Sequence, residues 1–456
     1  MYEVTANGEP FWNDPEVLLT VLVAVLIADN LWSIFLMLRE IRVVYAVQQV
    51  PGELRPYLPQ TLFETMRANK LHRCWFTLVN RLCVVVILGS LELYLGLYPF
   101  IWKLSLMCAI WKWMEHEVVI SIVFVILLST YYYIKSLPGA IYDRWCIPSM
   151  IKRPNIPWKY RILRVFLDTL LSLFLMTVFV TIVVFVVIAL GKYSFLGLYG
   201  LALIAMLLVI LLLPILIDPF LGNRVPLQNA ALKRDLERLT ESVGFPFDQV
   251  HIIQVHDSSG GSNAFFFGSC CLKRIVIFDT LLLNRGLANT SELRPEEVGK
   301  GLCDPLVVAV VGHELGHWAH GHFYKAIIML KVHLFVTLCL FAICFPHGPI
   351  YQAIGFEQGL QPIIAWLSEL SFGYVLTPYM TLSNVCMLTM TRNFEYQADK
   401  FAFKLGFAAS LREALLKLYA DNLTFPVSDS CYSSWNHTHP TMLSRIRRLN
   451  RLEQES

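Results

Sequence analysis

His313, Glu314 and His317 are the residues of this chain best spaced to do chemistry. Together they read HExxH. On a helix, two histidines four residues apart project from one face and can share a metal ion. The glutamate beside the first can reach a water bound to the same ion. Zinc suits the pair, because imidazole nitrogen is a good zinc ligand and catalytic sites take three protein ligands, leaving the fourth position to water. Two ordinary helical histidines give the same short pattern by chance, so a third ligand must decide.

The metzincin continuation requires glycine at 320 and histidine at 323; the chain has His320 and Phe323. His320 lies seven residues beyond His313, about 10 Å along a straight helix, too far to join the same ion. A better source is NFEYQAD at 393–399, an ExxxD pattern at helical spacing. Glu395 would complete the zinc set. Asp399, one turn on, would accept a hydrogen bond from a ligating histidine and fix its tautomer; a solvated helix carrying two acids is the alternative. Near the C-terminus stands NHTHP at 436–440, followed by Arg445. A histidine here could return over the metal and bond the oxyanion of a tetrahedral intermediate; a surface histidine is the plain alternative.

These residues must be held by a membrane protein. Of the 456 residues 56% are hydrophobic and only 16% charged, and the mean hydropathy is +0.55, well outside the soluble norm. A net charge of +3 is too small to argue for nucleic acid. The eleven cysteines are scattered without a CxxC, and read as reduced or structural, not as a disulfide framework or a thiolate zinc site. Residues 1–16 hold four acids and no Lys or Arg, unlike the basic start of a cleaved signal peptide. Apolar runs at 17–38, 78–101, 118–134, 166–190, 195–217, 327–345 and 363–390 give seven expected spans. Basic residues gather after the first run (Arg42, Arg55, Arg67, Lys70, Arg73) and the third (Lys135, Arg144, Lys152, Arg153, Lys159, Arg161, Arg164). Basic loops stay cytosolic, so HExxH and ExxxD face the cytosol and the N-terminus the lumen. Asp29, Glu92, Asp168, His333 and Glu369 are expected to face protein or water inside the bilayer.

In the soluble part, 227–243 reads as an amphipathic helix, and 249–255 and 273–278 as the strands of a hairpin around a turn at 258–262 and the run NAFFFG at 263–268. In zinc proteases such an edge can pair with an extended substrate. The phenylalanines are read as core. Asp304, before Pro305, is the expected N-cap of the zinc helix.

The chain resembles the type I CAAX prenyl endopeptidases. The resemblance rests on HELGHW at 313–318, FEYQADKFA at 394–402, SNAFFFG at 262–268, KRIVIFDTLL at 273–282, the HP pair with its following arginine, and the seven spans. It implies a multi-pass α-helical fold: seven transmembrane helices around an intramembrane chamber, with a gluzincin-type zinc protease domain on the cytosolic side. Residues 1–217 would form the membrane region with five helices, and 218–456 the protease domain with the last two. It implies one Zn2+ held by His313, His317 and Glu395, with Glu314 as base and Asp399 behind a ligand. Asn263 and Ala264 match the strand that binds the substrate backbone, His439 the oxyanion-side histidine, and Arg445 the arginine after HP. The implied reaction removes three residues beyond a farnesylated cysteine, sometimes with a second, N-terminal cut. The implied location is the endoplasmic reticulum membrane and, in animals, the inner nuclear membrane. The chain departs from the family at Trp435–Thr441, where YHYSHPP is usual, and in the glycine-rich stretch at 258–261, both on the expected substrate path. Two rivals remain at this stage: a membrane quality-control zinc protease acting on unlipidated chains, and a receptor or transporter with a vestigial site.

Overall fold

The computed structural model describes residues 10–108, 116–145, 158–255, 263–268, 273–287, 289–295, 297–360, 362–363 and 374–455. The first helices are α1 (Pro15–Ala46), α2 (Gln60–Asn80), α3 (Gly89–Tyr94), α4 (Leu97–Met107), α5 (Glu117–Trp145), α6 (Trp158–Leu190) and α7 (Ser194–Leu221), with a π-helical stretch, Arg81–Leu88, joining α2 to α3. After β1 (Gly222–Val225) come α8 (Ala230–Val243), β2 (Val250–Val255), β3 (Ala264–Phe267) and β4 (Arg274–Phe278). The chain then forms α9 (Asp304–Ala319), α10 (His322–Cys344), α11 (Gly348–Ala353), α12 (Thr377–Lys404), α13 (Ala408–Asp421), α14 (Ser430–Asn436) and α15 (Met442–Glu455).

Among the described residues, five stretches are long and apolar enough to cross a bilayer: Pro15–Ala46, Gln60–Tyr94, Glu117–Gly139, Phe166–Leu212 and His322–Cys344. Phe166–Leu212 takes in two of the expected runs. Its 47 residues would reach about 70 Å as one helix, more than twice the hydrocarbon thickness. The chain breaks at Gly191, whose φ is 49°, and Gly197 of α7 then lies against Val186 and Leu190 of α6. The middle of the 363–390 run, with Glu369, lies outside the described residues, as does the glycine-rich 258–261 stretch.

The chain divides into two compact units that interleave in sequence. The first comprises residues 1–38, 73–203 and 332–383. Its core includes Leu26, Tyr98, Phe124, Val184, Phe341 and Tyr351. The polar groups here find protein partners, as desolvation demands. Glu92 accepts from Tyr131 Oη and Lys135 Nζ, both at 2.6 Å. Asp29 accepts from Thr381 Oγ1 at 2.8 Å, and His333 lies 3.0 Å from Tyr379 Oη and 2.7 Å from Ser383 Oγ. Asp168 is exposed at the edge of its apolar run, where a carboxylate need not be dehydrated.

The second unit comprises residues 39–72, 204–331 and 384–456 and holds all the candidate site residues. Its sheet has the order β1-β2-β4-β3. The expected hairpin is corrected here: β2 and β4 are parallel neighbours, and the AFFF run is itself a strand, antiparallel to β4 at the sheet edge. A parallel pair needs a connection that crosses back, and the segment containing β3 supplies it. The amphipathic helix is observed as α8, capped by the Asn229 side chain and closed by Gly244 at φ 73°. Asn229 Nδ2 also donates to Asp304 Oδ2 at 2.7 Å. Asp304 is the first helical residue of α9 and Cys303 occupies the N-cap, one position from expectation.

Helix α9 is apolar all round, and residues 306–316 are all buried, as a helix packed on every side must be. Val307, Val311 and Leu315 pack with Leu232, Leu236, Ile275 and Ile277 of α8 and the sheet. Ala309 packs with Ala402, Leu411, Met442 and Ile446 of the C-terminal helices. The motif thus sits on a rigid rod.

Candidate active site

On α9, His313 and His317 turn their rings together, with Nε2 atoms 3.2 Å apart. Glu395 reaches them from α12: Oε2 is 3.6 Å from His313 Nε2 and Oε1 is 3.4 Å from His317 Nε2. These three residues offer ligand atoms within 4.8 Å of one another. Zinc–nitrogen bonds of about 2.05 Å at the tetrahedral angle put neighbouring donors about 3.3 Å apart, and the donor atoms here, with one Glu395 oxygen near each ring, are close enough together to hold one ion. The donor set, two imidazoles and a carboxylate, also suits zinc.

The helices meet because Gly316 removes a side chain at the crossing. A Cβ there would lie 2.9 Å from Ala398 Cα and 3.1 Å from Ala398 O. Behind the rings, His313 Nδ1 lies 3.0 Å from Asp399 Oδ1. Asp399, only 1% exposed, also accepts from Arg445 Nε at 2.9 Å and from a terminal Arg445 nitrogen at 2.6 Å. Another Arg445 nitrogen stands 3.4 Å from Glu395 Oε2.

These contacts oppose the cost of burial. Burial raises Glu395, but hydrogen bonds from His313, His317 and His439 outweigh it and hold the carboxylate far below the usual range. Burial likewise raises Asp399, yet the Arg445 charge and the bond to His313 bring it down to about 2. For His313, burial and Arg445 push down while bonds to Asp399 and Glu395 carry it up to about 9. Arg445 is pressed down by burial and raised more strongly by Asp399.

Glu314 projects toward β3, where the Phe266 N–H donates to its Oε2 at 2.9 Å. Ala264 begins that edge strand and Asn263 stands just before it, where its Oδ1 accepts the Ala264 N–H at 2.9 Å. The loop after α14 completes the approach. Its anchor is Asp429, which caps α14 and takes both Nε and a terminal nitrogen of Arg39, at 3.1 and 3.0 Å. Glu40, fully buried, accepts from the Asp429 N–H and pairs with Lys70 at 2.9 Å. Of the two loop histidines, His437 bonds within its own helix, to Ser433 Oγ at 3.1 Å. His439 lies 3.1 Å from Glu395 Oε1 with its side chain 62% exposed, open to a bound molecule.

All nine residues singled out in the sequence therefore lie in this one region. Three contributors were not singled out: His322, Gln397 and the Phe266 amide. His322 Nδ1 is 3.0 Å from His317 Nδ1, and its Nε2 is 3.0 Å from Gln397 Oε1. His320 does not join the cluster; its Nδ1 lies against the Gly316 carbonyl at 2.9 Å.

A membrane-spanning chain with a His–His–Glu cluster and a glutamate beside it belongs to the class of integral membrane metallopeptidases. The pattern of peptidase family M48 matches residues 226–453, and that of the CAAX prenyl protease N-terminal region, five membrane helices, matches 40–223. The chain is 31% identical to the human protein "CAAX prenyl protease 1 homolog" over 451 residues, 93% of each. It is 30% identical to the Mus musculus homolog, covering 93% of this chain and 94% of that one. The fold matches the crystal structure of S. mikatae Ste24p with a TM-score of 0.79 at 23% identity, over 95% of this chain and 99% of that one. The chain belongs to peptidase family M48, as a member of its CAAX prenyl protease 1 group.

Proposed function

We propose that this protein is a zinc endopeptidase that removes the last three residues of farnesylated CaaX proteins, with a second, N-terminal cut on some substrates. The observation that carries the reading is the convergence of His313, His317 and Glu395 beside Glu314, in a chain whose full-length relatives are CAAX prenyl proteases. Held by those three residues, a zinc ion would polarise the scissile carbonyl and lower the pKa of water toward about 7.

The remaining steps belong to the chain. The edge of β3 at Asn263 and Ala264 pairs with the extended substrate backbone. Glu314, steadied by the Phe266 amide, takes a proton from the attacking water as the C–O bond forms. It then passes that proton to the leaving amine as the C–N bond breaks. His439, the exposed imidazole, donates to the oxyanion. Arg445 holds Asp399 against His313, which keeps that ring in one tautomer.

In this reading residues 1–217 form the membrane region and 218–456 the protease domain. Seven spans enclose an intramembrane chamber that receives the lipid, and the site faces the cytosol at the endoplasmic reticulum or inner nuclear membrane. The Lys and Arg bias of the loops supports that orientation. The test is tripeptide release from matched farnesylated and unlipidated CaaX peptides by the purified protein in detergent. Chelator-sensitive cleavage of the farnesylated peptide alone is expected. Equal cleavage of both supports a quality-control protease instead; no cleavage with zinc bound points to a vestigial site.

A further inference from the structure

We infer that His322 is a positioning residue for the metal centre: it fixes the tautomer and ring angle of His317 through a neutral hydrogen-bond chain ending on Gln397. The inference rests on the metal reading of His313, His317 and Glu395.

The proton positions follow in sequence. His317 Nε2 faces the donor cluster and must present a lone pair there, so the ring carries its proton on Nδ1. That nitrogen lies 3.0 Å from His322 Nδ1, which must therefore accept. A neutral imidazole that accepts at Nδ1 carries its proton on Nε2. His322 Nε2 lies 3.0 Å from Gln397 Oε1, an oxygen that can only accept, and the chain closes. The ring plane is set as well. His322 is 4% exposed, stacks on Phe394 at 4.4 Å and 14°, and has His320 stacked against it at 5.5 Å and 21°.

The two ligand imidazoles are thus held by unlike acceptors. His313 leans on the carboxylate of Asp399, already committed to Arg445. His317 leans on a neutral imidazole and an amide. A second carboxylate behind His317 would add negative charge to a pocket that already buries Glu314, Glu395 and Asp399 against Arg445. The chain also ties α9 to α12, because Gln397 stands two residues past Glu395.

Five residues apart on one continuous helix, His317 and His322 would point about 140° apart. They meet because α9 ends at Ala319 and Gly321, at φ 61°, turns the chain so that the first residue of α10 lies beneath the motif.

The test uses the full-length protein in detergent and three variants. His322→Phe keeps a flat ring on Phe394 but removes both nitrogens. Gln397→Leu removes the terminal acceptor, and Gln397→Glu keeps an oxygen there. Zinc affinity is read by chelator competition, and ligand geometry by the visible spectrum of the cobalt-substituted protein. His322→Phe is expected to weaken zinc by about 10–100-fold and shift the cobalt bands; Gln397→Leu should lose less, and Gln397→Glu, which keeps the acceptor but adds charge, should fall between Gln397→Leu and wild type. His322→Phe with the wild-type affinity and spectrum overturns the inference. Should that variant not fold, equal affinity in Gln397→Leu and wild type overturns it. Wild-type protein that takes up no zinc overturns the metal reading, and this inference with it.

Discussion

Replacing Gly316 with alanine separates packing from positioning. The added Cβ would lie 2.9 Å from Ala398 Cα, 3.0 Å from Phe401 Cβ and 3.1 Å from Ala398 O, where ordinary contact begins at 3.4 Å. Two of those atoms are backbone, so α9 and α12 must part by about 0.5 Å, the difference between 3.4 and 2.9 Å. Overpacking of this kind costs about 1–3 kcal/mol, and alanine returns about 0.5–1 kcal/mol over glycine within a helix. The net loss of stability is therefore about 0–2.5 kcal/mol, a few degrees in melting temperature. The effect on the site is larger. His317 follows Gly316, and Glu395 lies one turn before Ala398, so the parting stretches the 3.4 Å gap between His317 and Glu395. Misplacement by 1 Å costs about 10²-fold, and half that distance about tenfold. Gly312, one turn earlier, is the control: its Cβ would meet the Phe407 ring at 3.2 Å and Leu405 Cδ1 at 3.8 Å, side chains that can give. Tripeptide release and bound zinc should fall in Gly316→Ala and hold within about twofold in Gly312→Ala, a near-neutral change by its packing. Full activity and zinc content in Gly316→Ala, or equal damage in both, would refute the argument.

Other outcomes are expected. Glu314→Gln should lower turnover by about 10²–10⁴-fold and leave zinc stoichiometry at the wild-type level; normal peptide cleavage by that variant rules out the assigned role. Arg445→Ala leaves Asp399 and Glu395 buried without their guanidinium, at a cost of about 3–5 kcal/mol, readable as a lowered unfolding midpoint. Lysine at that position should recover only part, since it cannot make the two-pronged contact. Asp429 is held below its ordinary value of 3.8, first by hydrogen bonding to Arg39 and against burial. The stability it adds is therefore complete above that value and lost as pH falls through the lower folded value. In thermal scans, Asp429→Asn should melt below wild type at pH 7 and approach it near pH 3; a constant gap across that range counts against the linkage.

Much of the site was legible because its signals are local. HExxH and ExxxD each use helical periodicity, and α9 and α12 are continuous where those residues stand. His322 was hidden for the converse reason, since its contact with His317 exists only because Gly321 interrupts the helix. The strand pairing was misread because AFFF is apolar without alternation, and nothing in a four-residue run tells an edge strand from core filler. His437 and His439 differ only in context: the first is taken up by Ser433, a contact that depends on how α14 ends. The break between α6 and α7 was legible as well, because Gly191, with φ 49°, begins the short interruption between two apolar runs.

The charge balance explains why these parts belong together. Glu314, Glu395 and Asp399 are buried, and Arg445 is the buried guanidinium among them; three negative charges against one leave two uncompensated. Each dehydrated charge costs several kcal/mol unless matched, so the cluster is stable in proportion to the positive charge it can gather. A divalent cation supplies two, which is the deficit. The elevation of His313 to about 9 expresses the same demand through the nearest group able to carry a proton. Arg445 has a separate task. By engaging both oxygens of Asp399 it leaves that carboxylate facing His313 Nδ1, the arrangement that the proposed ligand role of that ring requires.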